Sequence, residues 1–530
     1  MRRFSVKKIP LERLLMGGLS ILFFLFSLIL IKTALMGDFR TSVFGVQYQY
    51  MWDPGGPYLS SGVFFFRSHE LQFYGHPGFF LQLIVGVVSE CAFFLAKASG
   101  CAAGYAECVI KNYPNIIFTV KMIITLCHII TFYIIKSIST RFVPKMASFI
   151  AAFAYASAYP VIYYIDNIAP EPILVLCVTG AVLFVYKYME ALKDGRMRLS
   201  YAYVPAIAFS SVAACFSKFM FGVPFSFAVL LYFVVINFKI IRSSTATSIK
   251  QTALYLISAS AFFLMLSEKI NWPRFFNFWF RLSPGGKNID SNETALNKFF
   301  HMIVAYFEKD VLPLLSVEKW IPNAYSKQGL FFLSETLFLV IGAWGAWMIF
   351  KSRSADLKIK LLLLVLISLC IAPIVQYRGD FHYYFIYIAF ASVLSSFTLH
   401  AWAGKYLTSG LGERKALVMS MIFICLIHFS GFITLLNGKI YNAKIYAKNY
   451  EAYYSALSRI DYDEKIATDG KIKDIITALP LKYETGPSVN ALRNAAQRFM
   501  IKVDAEPDEM PDNVPFFIKR TKKGVILKEF

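Results

Sequence analysis

The stretch "MWDPGGPYLSSGVFFFRSHELQFYGHPGFFLQLIVG", residues 51 to 86, decides how the chain is laid out. It places Asp53 in a turn of prolines and glycines, where no regular helix forms, and then a His-Pro pair, His76 and Pro77, at the head of an apolar run. Whether that run crosses a membrane fixes the side on which every later polar turn falls.

The segment before it, "MRRFSVKKIPLERLLMGGLSILFFLFSLILIKTALMGD", has a basic flank and an apolar core of roughly 20 residues, enough to span a bilayer. A cleaved signal would have a shorter core and a small-x-small site, so a retained anchor with its N-terminus in the cytoplasm is expected. Of 530 residues, 57% are hydrophobic, 17% aromatic and only 16% charged, which is too apolar for a water-soluble domain and indicates a polytopic membrane protein. The net charge of +21 comes from Lys and Arg in short stretches between apolar runs, so it sets orientation and gives no reason to expect nucleic acid. The eight cysteines are scattered, mostly in apolar runs, with no CxxC or Cys/His metal spacing.

Apolar runs follow at 115–136, 146–165, 170–190, 200–217, 220–238, 251–268, 328–350, 360–376, 383–400 and 416–437. With the anchor this makes about eleven transmembrane helices. The basic connections "KSISTRFVPK", "KYMEALKDGRMR", "FKIIRSSTATSIK", "KSRSADLKIK" and "AGKYLTSGLGERK" all lie on the N-terminal side if residues 76–96 do not cross. The positive-inside rule then holds throughout, and that run is expected to be a helix lying at the outer interface or dipping in and returning. The expected fold class is an α-helical polytopic membrane protein with interfacial helices in the first outer loop. Residues 1–437 form the membrane module and 438–530 a small soluble extracytoplasmic domain, placed outside by the odd span count.

On this layout Asp53, Glu70, His76, Asp166, Glu171, Lys218 and "QYRGDFHYY" all face outward. Each has a plain structural role beside a chemical one. Asp53 could cap a short helix starting near Pro57, or act as a general base in its rigid turn. His76 suits a helix start, or an imidazole beside a phosphate or sugar. Asp166 and Glu171 flank Pro170 and Pro172 in "YYIDNIAPEPILVL"; the helix dipole favours Glu171, yet acids at membrane depth are costly unless they face a polar cavity. Lys218 in "CFSKFMFGVPF" has no acid near it in sequence, so it either snorkels or offers a cation to a lipid phosphate. Arg378, Asp380, His382 and Tyr383 crowd one turn, where Arg378 and Asp380 could pair or the group could hold a phosphate next to a sugar. Arg67 and Glu70 are candidate supports. In the outer segment "SGCAAGYAECVIK", Cys101 and Cys108 are close enough in sequence for a disulfide to be considered.

The anchor, the first-loop acid, "GHPGFF", "DNIAPEPILVL", "SKFMFGVP" and "YRGDFHYYFIYIAF", in that order, resemble the GT-C membrane glycosyltransferases, in particular the protein O-mannosyltransferase and aminoarabinose-transferase branch. The resemblance implies transfer of a sugar from a polyprenyl-phosphate carrier to an extracytoplasmic acceptor, which could be protein, lipid or glycan. It further implies Asp53 as catalytic base, Asp166 or Glu171 as second acid, and His76, Lys218, Arg378, His382 and Tyr383 around the donor phosphate. The family's first-loop acid is frequently followed by Glu, whereas Pro54 follows here, so Glu70 or Asp166 would have to complete a paired-acid site. Some relatives depend on a divalent metal, and the scattered acids of this sequence do not decide whether one takes part here. The membrane would be a bacterial inner membrane, or the endoplasmic reticulum in a eukaryote. The rival readings are a transporter or flippase of lipid-linked sugars and a polysaccharide polymerase or ligase; no repeat symmetry of the transporter kind is evident.

Overall fold

The structure is a computed structural model and describes residues 10–33, 58, 62–63, 65–67, 78–101, 105–165, 168–240, 245–273, 322–378, 384–406, 415, 417–429, 516–521 and 524–529. Its helices are α1 (Leu11–Thr33), α2 (Phe79–Ala98), α3 (Tyr105–Ser139), α4 (Ser148–Ser157), α5 (Tyr159–Tyr164), α6 (Glu171–Lys193), α7 (Met197–Ser217), α8 (Phe219–Ile240), α9 (Thr245–Ser267), α10 (Pro322–Lys351), α11 (Ala355–Arg378) and α12 (Phe385–Tyr406), with a shorter apolar helix α13 at Leu417–Phe429. Among the described residues eight helices are long and apolar enough to cross a membrane: α1, α2, α6, α7, α8, α9, α12 and the Asn115–Ser139 part of α3. The protein is an α-helical integral membrane protein.

Two details differ from the sequence expectation. The run 146–165 is broken into α4 and α5 at Ala158, whose backbone is extended (φ −70°, ψ 142°). Pro160 supplies the reason, since its ring would clash with the carbonyl four residues back in a continuous helix. The helix after His76 is 20 residues long and qualifies as a span by length and composition; only the charge pattern argues for an interfacial position.

The chain divides into two compact units. The first comprises Met1–Phe26, Leu126–Tyr163 and Glu171–Leu435. In it α7 packs against α6, α8 and α9, α8 against α11, and α12 against α4, α6 and α10. Close approach needs glycine where backbones meet. A Cβ on Gly222 would run into the backbone of Ala214 and Cys215, and one on Gly345 into that of Leu394. The basic ends of this unit are tied together by Arg141 with Glu190 (Nε to Oε1, 3.2 Å), Lys360 with Asp356 (2.8 Å) and Lys193 with Asp356. Here the Tyr186 and Tyr232 hydroxyls donate to the carbonyls of Lys360 and Ile359, both at 2.7 Å. Because α6 and α11 each run away from this end, their other termini, Glu171 and Arg378, point to the opposite end, where Glu171 meets the α7–α8 junction.

The second unit comprises Ser27–Thr125, Tyr164–Pro170 and Leu436–Phe530. In it a turn at Gly62–Arg67 lies on α2, where Gly62 meets Val85 and Gly86 meets Phe65, and the Phe65 and Phe79 rings meet edge to face at 5.4 Å. Near the C-terminus β1 (Phe516–Thr521) and β2 (Gly524–Glu529) form an antiparallel hairpin with Phe516 opposite Glu529 and Thr521 opposite Gly524.

Candidate functional site

Lys218 occupies the break between α7 and α8. Its amide donates to the Ala214 carbonyl at 3.1 Å and ends α7, while its own carbonyl accepts from the amides of Phe221 (3.1 Å) and Gly222 (2.8 Å) and starts α8. The residue itself is extended (φ −153°, ψ 98°), which turns its side chain out of both helices. Glu171 opens α6, where the helix dipole favours a carboxylate. Lys218 donates to Glu171 Oε1, and the two side chains are only 3% and 4% exposed. The Lys218 ammonium also lies 5.7 Å from the Phe221 ring, which meets Phe385, the first residue of α12, at 5.7 Å. Three segments that are far apart in sequence thus meet: the start of α6, the α7–α8 junction and the start of α12.

Sequence reasoning chose both Glu171 and Lys218 but left Lys218 without a partner, because the acid lies 47 residues away. The ammonium does not snorkel; it is enclosed by protein. Arg378 is the last residue of α11, six residues before Tyr384, so its backbone belongs to the same end of the first unit. Asp53, Glu70, His76, Asp166, His382 and Tyr383 lie outside the described residues.

Arg67 has a different setting. Its guanidinium makes a two-pronged pair with Glu90, Nε to Oε1 at 2.8 Å and Nη2 to Oε2 at 2.7 Å, and lies over the rings of Tyr105 (4.5 Å) and Phe93 (5.6 Å). The bond to Glu90 raises the Arg67 pKa above its usual value despite some desolvation. Tyr105 donates to the Val63 carbonyl at 2.6 Å, and burial raises its phenol pKa well above the ordinary value. Arg67 therefore fastens the Gly62–Arg67 turn to α2 and α3. Sequence reasoning missed Glu90; its one signal was an isolated acid inside the apolar run "LIVGVVSECAFF".

Among the described residues no three His, Cys, Asp or Glu side chains gather as a metal would require, and the one buried acid at this end, Glu171, already faces an ammonium. The described residues do not form a metal site.

No protein-family model matches the chain, and no curated protein matches it by sequence. Solved structures do match in shape. The oligosaccharyltransferase AglB from Archaeoglobus fulgidus, in complex with an inhibitory peptide and a dolichol-phosphate, superposes with a TM-score of 0.50 at 13% identity over 89% of this chain. The chain has the GT-C fold. It covers 60% of the length of that archaeal protein. ArnT from Cupriavidus metallidurans is matched over 91% of this chain and 88% of its own, with a TM-score of 0.44 and 12% identity. Within this fold the Glu171–Lys218 pair and the end of α11 lie at the end of the first unit opposite its basic end.

Proposed function

We propose that the protein is a membrane glycosyltransferase that moves a sugar from a polyprenyl-phosphate donor to an acceptor on the outer side of the membrane. The observation that carries this reading is the enclosed Lys218 ammonium, held by Glu171 where the start of α6 meets the α7–α8 junction, on a chain with the GT-C fold. AglB, which shares that fold, is described in complex with a dolichol-phosphate.

The chemistry follows from the donor. A sugar carried on a lipid phosphate already has a good leaving group, so departure needs positive charge near the phosphate more than it needs a proton. Lys218 supplies that charge, and Arg378, at the end of α11, supplies more. His76, His382 and Tyr383 add hydrogen bonds around the phosphate and sugar. The acceptor, a hydroxyl in this reading, loses its proton as it attacks the anomeric carbon, and Asp53 accepts it. Attack opposite the phosphate inverts the anomeric centre. Glu171 is then a positioning residue that fixes the Lys218 ammonium, and Asp166 is the remaining second acid. In this reading residues 438–530 form the small extracytoplasmic domain, and the outer placement of the site rests on the charge pattern of the connections.

The test is turnover of radiolabelled polyprenyl-phosphate monosaccharides by purified protein, with Asp53→Asn alongside wild type across a panel of sugars. The expected result is sugar transfer by wild type and loss of transfer, with donor binding kept, in the variant. If wild type binds the donor and carries it across vesicles without consuming it, the flippase reading replaces this one. If Asp53→Asn turns over normally, the acid serves the turn alone.

A further inference from the structure

Cys101 and Cys108 stand apart from the other cysteines. Cys91, Cys127, Cys177, Cys215, Cys370 and Cys425 each lie within an apolar helix. Cys101 follows α2, its amide donating to the Ala96 carbonyl at 3.0 Å just beyond Gly100, which closes that helix with a positive φ of 87°. Cys108 lies in the first turn of α3. The two sulfurs are 2.9 Å apart, nearer than two non-bonded sulfur atoms rest.

We propose that Cys101 and Cys108 form a disulfide that clamps the α2–α3 turn on the outer side of the membrane. The proposal shares with the proposed function the outer placement of this turn, where thiols meet an oxidising compartment. Cys101 is half-buried and Cys108 buried, so the order of events follows. The Cys101 thiolate attacks an oxidised protein dithiol catalyst, giving a mixed disulfide and releasing one catalyst thiol. The Cys108 thiolate, at a helix N-terminus that favours negative charge, attacks the Cys101 sulfur and releases the second thiol. Two thiols become one disulfide, and their two protons and two electrons leave on the reduced catalyst.

The clamp has a mechanical role. Tyr105, between the two cysteines, holds the Val63 carbonyl, and its ring supports Arg67. A linked turn fixes Tyr105 and with it the Gly62–Arg67 segment of the first outer loop, the loop that contains Asp53 and His76.

The test begins with the wild-type chain extracted from its own membrane in the presence of a thiol blocker, then digested and weighed. The expected result is one linked species carrying Cys101 and Cys108, two hydrogens lighter than the reduced peptides and blocked only after reduction, with the other six cysteines blocked at once. Recovery of both cysteines with blocker before reduction overturns the proposal. Reduction is expected to lower the melting temperature of wild type but not of a Cys101→Ser/Cys108→Ser chain; equal behaviour overturns the clamp. A separate arm tests the side: in Cys108→Ser, Cys101 should react with a membrane-impermeant maleimide on intact cells. Reaction only after permeabilisation, with the linked species still present in wild type, would sink the outer placement and leave the disulfide standing.

Discussion

The Lys218 ammonium donates to the Glu171 carboxylate across 47 residues of chain, and both side chains are sealed from solvent. A buried pair of this kind is costly to desolvate and is weak support for stability by itself, but removing one partner strands the other charge.

Lys218→Met is therefore expected to destabilise the protein by about 3–5 kcal/mol, read as a lower unfolding midpoint in detergent. Glu171→Gln with Lys218→Met should recover most of that stability because no lone charge remains. Sugar transfer should stay lost in the double variant. If transfer returns with stability, Lys218 has only a structural role.

The fold was legible in the sequence to the extent that helices are written in apolar runs. The expected runs 170–190, 200–217 and 220–238 are α6, α7 and α8 within a few residues, because bilayer-length hydropathy is a local property. The partners of the charged groups were not legible. Nothing near Lys218 or Arg67 in sequence names Glu171 or Glu90, since those contacts arise only when helices pack. Nor did hydropathy show that Pro160 would split the run 146–165 into two short helices.

The α7–α8 junction depends on Gly222, whose missing side chain leaves room for the Ala214 and Cys215 backbone. Gly222→Ala should force the helices apart beside Lys218 and cost about 1–3 kcal/mol. Gly180→Ala is the control, since its Cβ would meet only Ser210 Oγ at 3.8 Å; alanine is favoured over glycine inside a helix, so its melting temperature should be no lower than wild type.

At the basic end, the Tyr188 hydroxyl lies against Asn237 Oδ1 and Gln251 Oε1 and has one proton to share between them; all three side chains are fully buried, and Gln251 Nε2 donates on to Ser200 at 3.2 Å. Tyr188→Phe keeps the ring but removes the hydroxyl that these two buried amides share. A loss of about 1–3 kcal/mol is expected, with sugar transfer by the folded protein unchanged. A large loss of turnover at full stability would show that this end also takes part in function.

Tyr105 gives a pH dependence whose sign is fixed. Its phenol pKa is raised chiefly by burial and further by the charge of Glu90, with Arg67 opposing. In the unfolded chain the phenol ionises near its ordinary value of 10.0, so above that pH the folded protein holds the proton and the unfolded chain does not. Stability from this group is full below pH 10.0 and falls as pH rises further, by up to about 1.4 kcal/mol per pH unit. Tyr105→Phe should be weaker than wild type at neutral pH by about 0.5–1.5 kcal/mol for the lost bond to Val63, and the gap should close above pH 10.0. Unfolding midpoints of the two proteins measured across alkaline pH check this, and a gap that stays constant would mean the phenol ionises freely in the folded protein.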